Sequence, residues 1–123
     1  MAMEITAQAS LTLQRSASLV LQASATATPT QAGTKGLSNY VSVSTSAAAL
    51  SFTGLSTVAY LFLKNETTTQ ILLSMDSGGS QQVAALNQND VCLIPVNRSA
   101  PANFYVKIAS GASVNLFVAA VEQ

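Results

Sequence analysis

The chain has no histidine, no tryptophan and one cysteine, and only 8% of its 123 residues are charged. Each shortage excludes something. Without histidine the commonest general base and metal ligand is missing. A single cysteine, Cys92, cannot close an intrachain disulfide, so no oxidising compartment is implied. Five basic and five acidic residues cancel to a formal net charge of zero. Nothing steers the chain toward nucleic acid or an anionic membrane, which need clustered Lys or Arg. No apolar run approaches the roughly 18 residues that cross a bilayer. The segment Met1-Ala2-Met3-Glu4 has no basic stretch ahead of an apolar one, so a signal peptide is not expected. A soluble product made in the cytoplasm is the default expectation.

What the chain does have is apolar residues. Hydrophobic residues make up 49% of it, whereas an ordinary soluble domain is about a quarter charged. So little charge leaves a free monomer without the surface that keeps proteins apart. Much of the surface is therefore expected to be covered, by copies of the chain or by another protein.

The apolar residues come in short runs of period two, the mark of β-strands. Strands are expected at Ser10–Gln14, Ser18–Ala23, Tyr40–Thr45, Thr57–Lys64, Thr69–Met75, Gln81–Leu86, Val91–Val96, Asn103–Ala109 and Ser113–Val121. Turn residues fill most gaps: Pro29 to Gly36, Asn65 to Thr68, Asp76 to Gly79, Asn87 to Asp90, Asn97 to Ala102, and Ser110-Gly111. Ser46–Leu50 has room for one short helical turn, and no long stretch has helical spacing. Short strands separated by turns read as an all-β, antiparallel β-sandwich or barrel. The length suits a single compact domain, divided into an N-terminal strand or arm region, 1–30, and a sandwich, 31–123.

Faces matter more than ends. Phe104, Val106 and Ile108 alternate with Asn103, Tyr105 and Lys107, as in a strand with one buried face. Val41 and Val43 oppose Ser42 and Ser44 in the same way. Three strands break the rule. Val58, Tyr60 and Phe62 oppose Ala59, Leu61 and Leu63; Val91 and Leu93 oppose Cys92, Ile94 and Val96; Val114, Leu116 and Val118 oppose Phe117, Ala119 and Val121. A sandwich sheet has one inner face, so these strands need a second cover. A loop of the same chain and a subunit or partner interface both satisfy that need.

Near the N-terminus, Leu11-Thr12-Leu13-Gln14 is echoed by Leu19-Val20-Leu21-Gln22. Leu11, Leu13, Leu19 and Leu21 share one phase, and no Gly, Pro, Asn or Asp interrupts Arg15 to Ser18. Either the chain bends there into a strand pair, or an arm runs on toward a neighbour. The candidate interface residues are accordingly Leu11, Leu13, Leu19, Leu21, Tyr60, Phe62 and Phe117.

Catalytic chemistry has little to stand on. Cys92 lies in an apolar strand with no histidine to activate it and reads as a structural thiol. Glu4, Glu66, Asp76, Asp90 and Glu122 are dispersed and form neither an acid pair nor a metal-binding motif in sequence. Asp76-Ser77-Gly78-Gly79-Ser80 lacks the lysine and helix of a phosphate loop and reads as a hairpin turn. Asn65-Glu66-Thr67 and Asn97-Arg98-Ser99 match the glycosylation pattern but read as chance matches in turns. The expectation is a non-enzyme with no catalytic, cofactor or metal site.

The second half carries a resemblance. Val58-Ala59-Tyr60-Leu61-Phe62-Leu63-Lys64-Asn65 is followed by Thr69-Gln70-Ile71-Leu72-Leu73. Leu86-Asn87-Gln88-Asn89-Asp90 then leads into Val91-Cys92-Leu93-Ile94-Pro95-Val96. Phe104-Tyr105-Val106-Lys107-Ile108-Ala109 and Val114-Asn115-Leu116-Phe117-Val118 close the series. Over roughly residues 57–121 this pattern resembles the small β-sandwich virion proteins of tailed phages, of the capsid cement or decoration type. In those an apolar strand ends in an Asn turn, and a Leu-x-Pro-Gly-acid turn enters a strand that ends near Pro. Here Gln88 and Asn89 replace Pro and Gly, and Asn89 can adopt the left-handed conformation a tight turn needs. The resemblance implies a jelly-roll-like sandwich, a homo-oligomer with a trimer favoured, and a place on the virion surface against the major capsid protein. It implies no catalytic residues. The alternatives are a receptor- or glycan-binding module of a tail fibre, with Tyr40, Tyr60, Tyr105 and Phe117 available for stacking, or another virion connector or tail component.

Overall fold

The computed structural model describes residues 3–15, 18–27, 30–31, 36–52, 54–55, 57–99 and 104–122. The described residues contain twelve strands and no helix. In chain order these are β1 (Met3–Glu4), β2 (Ala7–Arg15), β3 (Ser18–Ala27), β4 (Thr30–Gln31), β5 (Gly36–Val43) and β6 (Ala48–Ala49). They continue with β7 (Thr57–Lys64), β8 (Ile71–Ser74), β9 (Gln82–Leu86), β10 (Val91–Ser99), β11 (Tyr105–Ile108) and β12 (Val114–Glu122).

Strands β5 to β12 form two four-stranded antiparallel sheets, ordered β10-β7-β12-β5 and β6-β11-β8-β9. Consecutive strands alternate between the sheets except for β8 and β9, which pair as a hairpin. That order is the jelly roll, an eight-stranded double Greek key. Two sheets bury their alternating apolar faces against each other. The shared core includes Val43, Leu61, Leu63, Leu116 and Val118 from one sheet and Ile71, Leu73, Leu86, Val106 and Ile108 from the other. Full burial of one such side chain contributes about 1.5–3 kcal/mol.

The short helical turn expected at Ser46–Leu50 is absent. Ala48–Ala49 pair instead with Tyr105 and Val106 at a sheet edge, a contact local propensity does not encode. The turn expected at Asn97 to Ala102 also differs, because β10 runs on to Ser99. Its register shifts between Pro95 and Arg98, and β10 is an edge strand of its sheet, where a proline that cannot donate to the ladder is tolerated. Residues 100–103, and most of the Pro29 to Gly36 segment, lie outside the described residues.

A second register shift changes a face. On β7, Tyr60 pairs with Val121 and Val58 with Glu122, so Ala59 is an extra residue in that ladder. Such a bulge reverses the alternation. Val58 is therefore buried in the core with Leu61 and Leu63 rather than sharing the outer face of Tyr60 and Phe62.

The corner joining β7, β8, β9 and β10 is held by Asn65, which is completely buried. Its amide donates to the carbonyls of Thr69 and Leu86, each at 2.8 Å, and its Oδ1 accepts from the Thr67 amide at 2.9 Å and hydroxyl at 2.8 Å. The Asn65 backbone bonds to Asn89 and Asp90. Asn89 sits at φ 67°, and the Asp90 carboxylate accepts from the Asn87 amide at 2.8 Å. The Asn turn and the Leu-to-acid turn thus meet in space.

Candidate assembly interface

The three strands with two apolar faces are neighbours. They lie side by side as β10-β7-β12, with β5 beyond. The register arranges their outer residues in three rows. Val91, Lys64, Phe117 and Tyr40 form the first; Leu93, Phe62, Ala119 and Ser38 the second; Pro95, Tyr60, Val121 and Gly36 the third. Three separate irregularities in the sequence are therefore one contiguous apolar face.

Aromatic rings form a ridge on it. Phe117 meets Tyr40 edge-on with ring centroids 5.4 Å apart, and Phe62 with centroids 6.2 Å apart. Both separations suit the attraction of a ring edge for a ring face. Lys64 is the one charge in the rows, and it pairs with Glu66 at 3.5 Å. Glu66 also accepts from the Tyr40 hydroxyl at 2.8 Å. That hydrogen bond, and then the negative charge of Glu66, push the Tyr40 phenol above its ordinary pKa.

The face is partly covered by the chain's own N-terminal segment. Ile5, Thr6, Ala7 and Gln8 lie over Tyr60, Phe62, Leu93, Ala119 and Val121, and a cavity of about 340 Å³ remains between them. Ile5 is buried but does not belong to the sandwich core. Farther along the face, Tyr40 is 57% and Val91 59% exposed.

The segment leads into a hairpin. β2 and β3 pair antiparallel, so the chain reverses between Arg15 and Ser18 rather than running on as one strand. Ser16 and Ala17 lie outside the described residues. Leu11 pairs with Ala23 and Leu13 with Leu21, but a register shift sets Leu19 opposite Gln14. The shared phase expected of the four leucines therefore holds for three of them. Leu11 is 63% exposed; the side chains of Leu13, Leu19 and Leu21 lie outside the described residues.

Of the candidate residues, Tyr60, Phe62 and Phe117 come together on the sheet face, while Leu11, Leu13 and Leu21 register together on the hairpin. Two contributors lie outside the candidate interface set. In sequence Tyr40 is a candidate only for stacking in the glycan-binding alternative, and its place beside Phe117 comes from the pairing of β5 with β12. Ile5 precedes any clear alternation.

Other groups serve the scaffold. Cys92 faces the core side of β10, and burial pushes its thiol above the ordinary value. Asn65 uses both amide protons within the corner, which bars it from carrying a glycan. Asn97-Arg98-Ser99 lies in a strand, not a turn. Among the described residues no cluster of metal-ligating side chains forms, and no helix is long and apolar enough to cross a membrane.

No protein-family model matches the chain, and comparison with characterised proteins and with solved structures returns no match.

Proposed function

We propose that this chain is a non-enzymatic assembly protein, a capsid decoration or cement protein of the tailed-phage type. One observation carries the reading: the three doubly apolar strands form a single face on a jelly roll whose one charge, Lys64, is paired with Glu66 of the same chain. Such a face in water favours association, because each Å² of apolar surface removed contributes about 25 cal/mol before association costs. The resemblance over residues 57–121 supplies the setting. A homotrimer would sit at junctions of the capsid shell and add contacts between major capsid protein subunits. Many copies on one lattice would add through multivalency. With so few charges, attachment would weaken only mildly as salt rises.

The test has two arms. Light scattering on the purified protein should give the mass of an oligomer. Heads lacking the protein should take it up, and electron micrographs should show it on the outer surface. A monomer at micromolar concentration, or heads that never bind it, would count decisively against this function.

A second reading rests on Tyr40, whose exposed ring lies beside the Glu66 carboxylate. An aromatic ring next to a carboxylate is also how a sugar is held, as on a tail-fibre tip. Binding on a glycan array that is lost in Tyr40→Ala would favour this reading instead.

A further inference from the structure

The hairpin β2–β3 has two unlike faces. Ala7, Ala9, Leu11, Ala23 and Ala25 occupy one, and Gln8, Ser10, Thr12, Gln22, Ser24 and Thr26 the other. A strand pair that only stands in solvent gains nothing from such segregation. A two-stranded hairpin is also marginal in water unless it packs on something. Yet Ala9, Leu11, Ala23 and Ala25 are all exposed in the single chain.

We propose that the exposed part of this apolar hairpin face, Ala9, Leu11, Ala23 and Ala25, lies on a second copy, on the part of the outer face of β10-β7-β12-β5 that its own Ile5–Gln8 leaves open, each copy giving one arm and receiving one. The inference rests on the self-assembling part of the function above and names the parts that join.

Four observations select a second copy as the occupant. The sheet face already accepts this chain's residues, since Ile5–Gln8 lie on it and leave a cavity unfilled beside Tyr60 and Phe62. Those residues run directly into the hairpin, so the arm of a neighbour is continuous in chemistry with a contact the fold already makes. Shape agrees as well. Alanines dominate the hairpin face, and small side chains leave room for the projecting rings of Phe62, Phe117 and Tyr40. Charge agrees too. The hairpin face has none among its described residues, and Lys64 on the sheet is answered by Glu66 within the same chain. A charged partner would find nothing to match.

Dimensions fit. Strands of 9 and 10 residues extend about 30 Å, close to the length of β7, β10 and β12. Two strands at about 4.8 Å spacing give a footprint of roughly 300 Å². Where two copies exchange arms both contacts fall between the same pair, roughly 600 Å² per partner against about 800 Å² in a stable complex; in a larger ring each pair of neighbours shares one contact of roughly 300 Å². A head-to-tail contact of this kind closes into a ring when its rotation permits.

The experiment places charge on each hairpin face of the full-length protein. Leu11→Asp with Ala23→Asp loads the apolar face; Thr12→Asp with Gln22→Asp loads the polar one. All four positions are exposed, so the folded sandwich should survive, as its thermal midpoint will report. Light scattering should show the first variant shifted to monomer, with at least a tenfold weaker association, and the second still assembled. A second measurement locates the contact. In a Cys92→Ala background, Leu11→Cys protein is mixed with Tyr40→Cys protein and oxidised. A disulfide between the two kinds of chain is expected. Assembly that survives Leu11→Asp with Ala23→Asp overturns the arm while leaving the assembly function standing. Leu11→Cys chains that join only to each other overturn the sheet face as acceptor. A monomeric wild type overturns both.

Discussion

The Tyr40 hydroxyl donates to Glu66 Oε2 at 2.8 Å, and this bond ties the exposed rim of the aromatic ridge to the loop after β7. It also makes Tyr40 a reporter. Glu66 accepts the phenolic proton and adds a negative charge beside it, so the tyrosinate is disfavoured and the pKa stands above the ordinary 10.0. The folded value being raised, the stabilisation is complete below the unfolded pKa and is lost as pH rises through the folded one. Glu66→Gln removes the charge. Alkaline titration followed by tyrosinate absorbance should show the Tyr40 transition move down toward the ordinary value. An unmoved transition would mean that the bond does not persist in solution.

Asn65 gives a larger effect because it is buried. Asn65→Ala leaves the Leu86 carbonyl and the Thr67 amide without their side-chain partner, while the Thr69 carbonyl keeps the Thr67 hydroxyl at 3.2 Å. Unsatisfied buried groups cost about 1–3 kcal/mol each, and Thr67 and Thr69 retain some access to water. A loss of about 2–4 kcal/mol is expected in urea unfolding. Asn65→Asp matches the shape but turns a carboxylate toward two carbonyl oxygens, so it should be no better near neutral pH. A near-neutral Asn65→Asp would show that the amide protons matter little.

Much of this arrangement is legible in the residues, and for a physical reason. Period two reports both faces of a strand at once, so Phe62 opposite Leu63 and Phe117 opposite Leu116 already announce a second apolar surface. Strand order is another matter. That β10, β7 and β12 are neighbours depends on pairings between segments tens of residues apart, and alternation carries no trace of it. Val58 illustrates the same limit. Its phase follows Tyr60 in sequence, yet the extra residue Ala59 turns it into the core. Leu19 fails likewise, across the register shift that sets it opposite Gln14. Ala48–Ala49 form a strand only because β11 offers an edge. Tyr40, with Ser38 and Ser42 on either side of it along its face of the strand, looks like an ordinary solvent-facing residue until Phe117 is placed beside it.

The β8–β9 hairpin carries an acid whose role is equally testable. Asp76 accepts from the Ser80 hydroxyl at 2.7 Å, the Gln81 amide at 2.7 Å and the Ser80 amide at 3.1 Å. The Ser80 hydroxyl first, and then the Gln81 amide, hold its carboxyl below the ordinary 3.8. A depressed folded pKa stabilises above the unfolded value, and that stabilisation disappears as pH falls through the folded one. Asp76→Ala should therefore lower the urea midpoint at neutral pH. The gap between wild type and variant should narrow below about pH 4. A gap independent of pH would remove the charge from the explanation.

Asn89 tests the turn that departs from the phage pattern. Its φ of 67° places it in the left-handed region, where a Cβ is crowded by the following carbonyl, at about 1–2 kcal/mol for an ordinary residue. Asparagine tolerates the conformation better than most, and glycine has no Cβ to crowd. Asn89→Gly, the residue typical of the resembled turn, should change stability by no more than a few tenths of a kcal/mol. Asn89→Val should cost about 1–2 kcal/mol. The loss should fall at the corner where the Asn89 amide donates to the Asn65 carbonyl and the Asp90 amide to that of Asn87. Hydrogen exchange can locate it: in Asn89→Val these two amides should lose protection before those of β8 and β11. Equal stability of the glycine and valine variants would mean that the turn is free to leave the left-handed conformation.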